Sequence, residues 1–284
     1  MIKRLPVFLF LLALFVVTAQ SAEIEDHVAK FGDVKIHYLN RGKGDEALVF
    51  VHGWACNADF FKSQMKEFGS ARLIAVDLVG HGQSDKPRAS YTMEYFARSV
   101  EAVLADAKVK RVVLVGHSMG TPVVRQFYRL FPEKTAGMVI VDGALRTLFS
   151  KEQMDQFMAP LRNDYKANVP NIVDGMVGPI KDPNLKTEIK TAMLATPDYV
   201  AISAMEGMAD ATLYATDPIK VPVLAVLAKS PFWADDTQTF LRSVAPNLEY
   251  VMWDGVSHFL MMEKPQEFDQ VVQTFLTKNK LLAR

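Results

Sequence analysis

Short runs of consecutive apolar residues recur along the chain and restrict the possible fold more than any other feature of the sequence. Strands that are apolar on both faces are typical of the middle of a parallel sheet covered by helices on both sides. Helical stretches separate the runs, which indicates an α/β protein with a doubly wound, mostly parallel sheet of about eight strands. The predicted strands are Val34–Asn40, Ala47–His52, Arg72–Asp77, Arg111–His117, Ala136–Asp142, Val221–Ala228 and Leu248–Asp254, and the predicted helices between them are Ala58–Phe68, Tyr95–Ala107, Met119–Phe131 and Gln266–Leu276.

The regular alternation stops at Gly143 and resumes after Asp217, following the sixth strand of the predicted sheet. Within this stretch Met154, Phe157 and Met158 fall at helical spacing on one face. The sequence therefore predicts a helical cap at 143–217, inserted between two parts of an α/β core at 23–142 and 218–284. If the cap covers a site, these three side chains are candidates for substrate binding, because Met suits adaptable apolar surfaces; packing within the cap is the alternative.

The first residues have the pattern of an export signal. Lys3 and Arg4 precede the apolar run Leu5–Val17, and small residues follow it. This order is typical of a secretory signal peptide, here 1–22, and the run is short for a membrane span of about 20 residues. Cleavage after Ala19 or after Ala22 would leave a periplasmic or secreted protein with no stable membrane association; an uncleaved anchor is the alternative.

Composition limits the partners that we expect. Lys+Arg and Asp+Glu balance at 32 each, so no net charge favours nucleic acid. The single cysteine, Cys56, excludes an intramolecular disulfide and a zinc site built from several cysteines. We expect a small-molecule substrate and neither a metal nor an organic cofactor, while the oligomeric state stays open.

The segment Gly116-His117-Ser118-Met119-Gly120 follows an apolar strand and opens a helix. This is the G-x-S-x-G pattern in the strand–turn–helix context that it requires. A side chain at either glycine would clash where strand and helix converge, and the sharp turn exposes the hydroxyl between them. The sequence predicts that Ser118 is a nucleophile.

A serine hydroxyl needs an adjacent general base at neutral pH. Of the six histidines, two lie in N-terminal strands, two precede glycines in loops and one lies inside the Ser118 turn. The remaining one, His258, follows the last predicted strand and is therefore the predicted base.

Four segments in this order resemble the α/β-hydrolase superfamily, and in particular its capped serine esterases and lipases. They are His52-Gly53-Trp54, Asp77 to Ser84, the Ser118 turn, and Ser257-His258-Phe259. The resemblance implies an oxyanion hole formed by the backbone N–H groups of Trp54 and Met119, and a structural role for the loop from Asp77 to Ser84.

The acid of the expected triad departs from the family pattern. The resemblance places it after the strand Val221–Ala228, where this chain has no carboxylate at the expected position. Asp142, at the end of the preceding strand, is the candidate that we favour, because a strand end fixes a side chain well. Asp235, further along the usual loop, is the alternative.

These residues predict hydrolysis of an ester of a small or medium apolar substrate through an acyl-enzyme. A carbon–carbon bond hydrolase, a lactonase or an amidase would use the same residues. A protein that keeps a hydrolase-like site for ligand binding without catalysis is the alternative from another class.

Overall fold

A computed structural model of the chain describes residues 23–282; the predicted signal peptide at 1–22 lies outside the described residues. The described part forms one eight-stranded sheet with the order β1-β2-β4-β3-β5-β6-β7-β8. The strands are β1 (Ile24–Phe31), β2 (Val34–Arg41), β3 (Glu46–Val51), β4 (Leu73–Val76), β5 (Arg111–His117), β6 (Thr135–Val141), β7 (Val223–Ala228) and β8 (Leu248–Trp253).

The strands from β3 to β8 pair in parallel, and β2 joins antiparallel to β1 and to β4 at one side of the sheet. The residues of β4, β6 and β7 are all buried, whereas β1 is largely exposed at the sheet edge. The doubly wound, mostly parallel sheet of eight strands predicted from the apolar runs is confirmed.

Helices pack on both faces of this sheet. Four of the ten described α-helices begin at a residue whose side chain accepts a hydrogen bond from the first turn; the Thr92 hydroxyl, for example, accepts from Tyr95 N–H at the start of the second helix. The helices are α1 (Lys62–Glu67), α2 (Met93–Asp106), α3 (Gly120–Leu130), α4 (Lys151–Asn163), α5 (Tyr165–Val177), α6 (Pro183–Leu194), α7 (Asp198–Met208), α8 (Thr237–Val244), α9 (Leu260–Glu263) and α10 (Pro265–Asn279), with short 3-10 turns at Ala58–Phe61 and Ala211–Tyr214.

Helices α4 to α7 all lie between β6 and β7, in the segment predicted to be a cap. A capping box at Ser150 begins α4, and Asp164 and Asp182 cap the next two helices. We call residues 143–217 the inserted segment; its designation as a separate cap domain stays a prediction. Among the described residues, no helix is long and apolar enough to cross a membrane.

Candidate active site

Ser118 lies in the turn between β5 and α3 with a backbone φ of +51°. A Cβ atom on Gly116 would lie 2.5 Å from the carbonyl oxygen of Gly120, and one on Gly120 would lie 2.2 Å from that of Val51. Both distances are far below van der Waals contact, so only glycine fits at either position. The strained turn lifts Ser118 away from strand and helix, and unusual backbone angles of this kind cluster at active sites.

Asp142 and His258 form a direct side-chain pair. The imidazole Nδ1 lies 2.6 Å from Asp142 Oδ2. Asp142 follows the last residue of β6 with a φ of +42° and is 7% exposed. Its second oxygen, Oδ1, accepts hydrogen bonds from Ala228 N–H at 2.8 Å and from the indole N–H of Trp233 at 3.2 Å. The carboxylate is therefore fixed on both sides.

The alternative acid lies apart from this pair. Asp235 is exposed, and its neighbour Asp236 pairs with Arg146 at 2.6 Å. The structure thus brings Asp142 to the imidazole and leaves Asp235 at the surface.

His117 connects the Ser118 turn with His258. Its ring centroid lies 4.7 Å from that of His258, and its Nε2 lies 2.9 Å from the backbone carbonyl oxygen of His258, to which it donates. Burial lowers the pKa of His117, so its imidazole is neutral. Within residues 23–282, no hydrogen bond joins Ser118 Oγ to the His258 imidazole; such contacts are often loose before substrate binds.

The residues expected to form an oxyanion hole lie beside this turn. Trp54 and Met119 are both buried, and a Cβ on Gly53 would lie 3.1 Å from Ser118 Cβ. Among the described residues, the backbone N–H groups of Trp54 and Met119 donate to no protein acceptor. Buried N–H groups are rarely left without a partner. Two such groups next to Ser118 are suited to bind a negatively charged oxygen.

The inserted segment contacts the loop that carries Trp54. The indole N–H of Trp54 donates to the carbonyl of Ala201 in α7 at 2.8 Å. The Thr196 hydroxyl donates to the carbonyl of Ala55 at 3.1 Å, and Ala55 has a φ of +57°. The sequence analysis missed these contacts, and no local motif marks them.

A second histidine–aspartate pair lies at the antiparallel side of the sheet. His37 Nδ1 lies 2.8 Å from Asp77 Oδ2, and its Nε2 lies 2.9 Å from Asp26 Oδ1. The hydrogen bond with Asp77 raises the pKa of His37, although burial opposes it. The nearby Ser84 hydroxyl donates to the carbonyl of Asp77 and accepts from the His37 N–H. This serine is therefore occupied by backbone groups, which favours the structural role expected for the loop from Asp77 to Ser84.

A cavity of about 200 Å³ lies beside this second pair, between the loops of the core and the end of α6. Asn57, Gln83, Lys86 and Thr196 contribute to its lining, and Ser118 and His258 do not. The cavity is thus separate from the Ser118 turn.

The three candidate substrate-binding residues of α4 differ in their surroundings. Met158 is fully buried, Met154 is partly buried against the core and Phe157 is 38% exposed. None of them lines the cavity near His37. Met158 packs inside the protein, and Phe157 is the most exposed member of the set.

Comparison with known proteins gives the family. Residues 46–200, more than half of the chain, match the family model described as alpha/beta hydrolase fold. The AB hydrolase superfamily protein YisY of Bacillus subtilis is 24% identical over 88% of this chain and 96% of its own length.

Two further similarities concern a shorter stretch of sequence and the three-dimensional fold. An uncharacterized protein of Mycobacterium tuberculosis is 35% identical over 34% of this chain, and the match spans only 29% of that relative's length. The solved structure described as Est816, an N-acyl homoserine lactone degrading enzyme, has a TM-score of 0.74 and 25% identity, covering 88% of this chain and all of its own.

Proposed function

The chain belongs to the alpha/beta hydrolase fold family, and we propose that it is a serine hydrolase that cleaves an ester bond of a small or medium apolar substrate. The observation that carries this proposal is the Asp142–His258 pair at 2.6 Å, beside a serine held at a positive φ. A carboxylate, an imidazole and a serine in this order are the groups that acyl transfer requires.

In the proposed mechanism, Ser118 Oγ attacks the ester carbonyl carbon and its proton passes to His258 Nε2. The C–O bond of the ester then breaks, and the leaving alcohol takes that proton. Water, deprotonated by the same imidazole, then attacks the acyl-enzyme. The bond between the acyl carbon and Ser118 Oγ breaks, the imidazolium returns the proton to Oγ, and the acid leaves.

Asp142 would keep the imidazole in the tautomer with the proton on Nδ1. The 2.6 Å distance to Oδ2 supports this role, because a proton held on Nδ1 leaves the lone pair of Nε2 free to accept the proton of the nucleophile. The carboxylate also stabilises the imidazolium that forms during the attack.

The backbone N–H groups of Trp54 and Met119 would bind the oxyanion of the tetrahedral intermediate. Both lack a protein acceptor among the described residues. Donors fixed in advance in this way contribute on the order of 3 kcal/mol each to transition-state stabilisation.

A lactone is a second candidate substrate, because it is a cyclic ester and needs the same steps. The similarity to the lactone-degrading Est816 favours it. Turnover of p-nitrophenyl esters of increasing chain length, compared with turnover of acyl lactones, distinguishes the two. Cleavage of amides or of carbon–carbon bonds in the same panel would point to the other activities that these residues allow.

The proposal is tested by labelling with a fluorophosphonate, which reacts with activated serines. We expect one label on the wild type, none on Ser118→Ala, and an esterase rate for Ser118→Ala that is lower by about 10⁴ or more. Ser84→Ala is the matched control, because Ser84 also lies beside a histidine–aspartate pair; it should keep its label. Labelling without turnover of any substrate would favour a binding protein, and turnover by Ser118→Ala would overturn the mechanism.

We further propose that the protein is exported, on the strength of the sequence at 1–22 alone. N-terminal sequencing of the mature protein should begin at Gln20 or Glu23. A membrane-bound product that retains Met1 would contradict this proposal.

A further inference from the structure

Trp233 occupies the loop after β7, where the family resemblance predicts the acid of the triad. The indole N–H of Trp233 lies 3.2 Å from Asp142 Oδ1 and 3.0 Å from the carbonyl oxygen of Ala228. This loop therefore supplies a hydrogen-bond donor to an acid that comes from the neighbouring strand.

The two oxygens of Asp142 have separate partners. Oδ1 accepts from the Ala228 N–H at 2.8 Å and from Trp233, whereas Oδ2 faces His258 Nδ1 at 2.6 Å. Donors on one oxygen fix the rotation of the carboxylate, and they also withdraw negative charge from it.

We propose that Trp233 is a positioning residue for Asp142, whose indole N–H keeps Oδ2 directed at His258 and limits how strongly the carboxylate stabilises the imidazolium. The inference rests on the proposed function, since it assigns Asp142 as the acid. A carboxylate with fewer donors is a stronger base, so an imidazole beside it would stay protonated, and inactive as a base, up to higher pH.

The half-buried position of the indole sets the choice of variants. Trp233 packs against the core, and Asp142 is only 7% exposed. In Trp233→Phe the ring still shields Asp142, so Oδ1 loses a donor that water cannot easily replace. The Ala228 N–H remains as the other donor to Oδ1.

The main test is the pH profile of kcat/KM for p-nitrophenyl acetate. In Trp233→Phe we expect the acid limb to move to higher pH by roughly half a unit. A hydrogen bond to a charged group typically changes a protonation equilibrium by about tenfold, and the effect here should be smaller because the indole N–H is shared between Asp142 Oδ1 and the carbonyl oxygen of Ala228. KM should stay within about twofold, since the indole acts through Asp142 and not on substrate.

Trp253→Phe is the matched control. It removes another half-buried indole but no hydrogen bond to Asp142, so it should leave the acid limb unchanged.

A second readout needs no turnover. The proton between His258 Nδ1 and Asp142 should give a low-field NMR resonance, assigned by its loss in Asp142→Asn. The resonance should move further downfield in Trp233→Phe and not in Trp253→Phe. An unchanged resonance together with an unchanged acid limb would overturn the role of Trp233 while leaving the Ser118 labelling result intact. Absence of fluorophosphonate labelling in the wild type would instead overturn the proposed function.

Trp233→Ala provides a check on the result for Trp233→Phe. Removal of the whole ring admits water, which can donate to Oδ1 in place of the indole. Its acid limb should therefore lie closer to the wild type than that of the Phe variant. The opposite order would contradict the proposal, because it would mean that the ring and not its N–H group matters.

Discussion

The indole N–H of Trp54 donates a hydrogen bond to the backbone carbonyl of Ala201 at 2.8 Å and thereby joins the loop after β3 to helix α7. The next residue in the loop, Ala55, accepts from the Thr196 hydroxyl at 3.1 Å. The inserted segment thus contacts both the side chain of Trp54 and the carbonyl of Ala55. We therefore expect the direction of the Trp54 backbone N–H to depend on this segment as well as on the sheet.

Trp54→Phe should lower kcat by roughly tenfold and change KM little. The variant keeps the backbone N–H and most of the ring, but it loses the bond to Ala201. A displaced oxyanion donor costs less than a deleted one, for which losses of about 10²–10³ are typical. The measurement is kcat and KM for a p-nitrophenyl ester. Thr196→Val should have an effect in the same direction.

Tyr199→Phe is the matched control for this prediction. Its hydroxyl also joins α7 to the core, by donating to the carbonyl of Lys86 at 2.6 Å, but it does not contact the Trp54 loop. We expect its kcat to stay near the wild-type value. Equal losses in all three variants would mean that the inserted segment affects general stability and not the oxyanion hole.

The strands of the sheet could be predicted because their apolar runs have a direct physical cause. A central strand covered on both faces must be apolar throughout, so β5, β6 and β7 begin and end within two residues of the predicted ranges. The first strand had no defined prediction, because β1 is an edge strand in which half of the residues are polar and half are exposed.

Contacts between distant segments could not be predicted from the sequence. Trp54 and Ala201 are 147 positions apart, and Trp233 and Asp142 are 91 apart. No periodicity relates a side chain to a backbone carbonyl at such a separation. The choice between Asp142 and Asp235 as partner of His258 likewise depended on the path of the loop after β7, which only the structure gives.

Asp142→Asn should lower kcat by about 10⁴, the typical penalty when an imidazole loses its tautomer-fixing carboxylate. The shape is retained, but the amide cannot stabilise the imidazolium. Asp235→Asn should cost less than about tenfold, because Asp235 is exposed and the His258 imidazole pairs with Asp142 instead. Rates of both variants are compared after circular dichroism shows that each is folded. A severe loss in Asp235→Asn alone would move the acid to the loop, and normal rates in both would favour a Ser–His dyad.

Variants of two neighbouring residues on α4, Phe157 and Met158, distinguish a role in substrate binding from a role in packing. Phe157 is 38% exposed, so Phe157→Ala should cost less than about 1 kcal/mol of stability. If the ring contributes to the acyl site, the variant should change the chain-length preference among p-nitrophenyl esters. Met158 is fully buried, and Met158→Ala should cost about 2–4 kcal/mol in the free energy of unfolding. An unchanged preference in Phe157→Ala would remove this residue from the substrate site.

Asp269, on α10, is a half-buried carboxyl group outside the proposed active site. Burial raises its pKa to about 6, with the charge of Glu67 adding to the effect while Gln64 and Arg41 oppose it. Its Oδ1 atom and the Oε1 atom of Gln64 are buried without hydrogen-bond partners. The folded protein therefore binds the Asp269 proton more tightly than the unfolded chain does.

The sign of the pH effect follows from this shift. A raised pKa contributes stability that is fully present below the unfolded value of 3.8 and is lost as the pH rises through about 6. At neutral pH the ionised group is destabilising, and Asp269→Asn should remove this cost. The Asn amide can also donate to Gln64 Oε1.

We expect Asp269→Asn to raise the free energy of unfolding by on the order of 1–2 kcal/mol at about pH 7.5, a value reduced for the partial solvent exposure of the group. Near pH 3, below the unfolded value of 3.8, Asp269 is protonated in the folded protein and largely protonated in the unfolded chain, so the two proteins should be almost equally stable. Urea unfolding at both pH values measures the difference. Asp235→Asn, an exposed aspartate, is the control and should show no such dependence on pH. If Asp269→Asn stabilised the protein equally at both pH values, the gain would come from the new amide hydrogen bond, and ionisation of Asp269 would not be its cause.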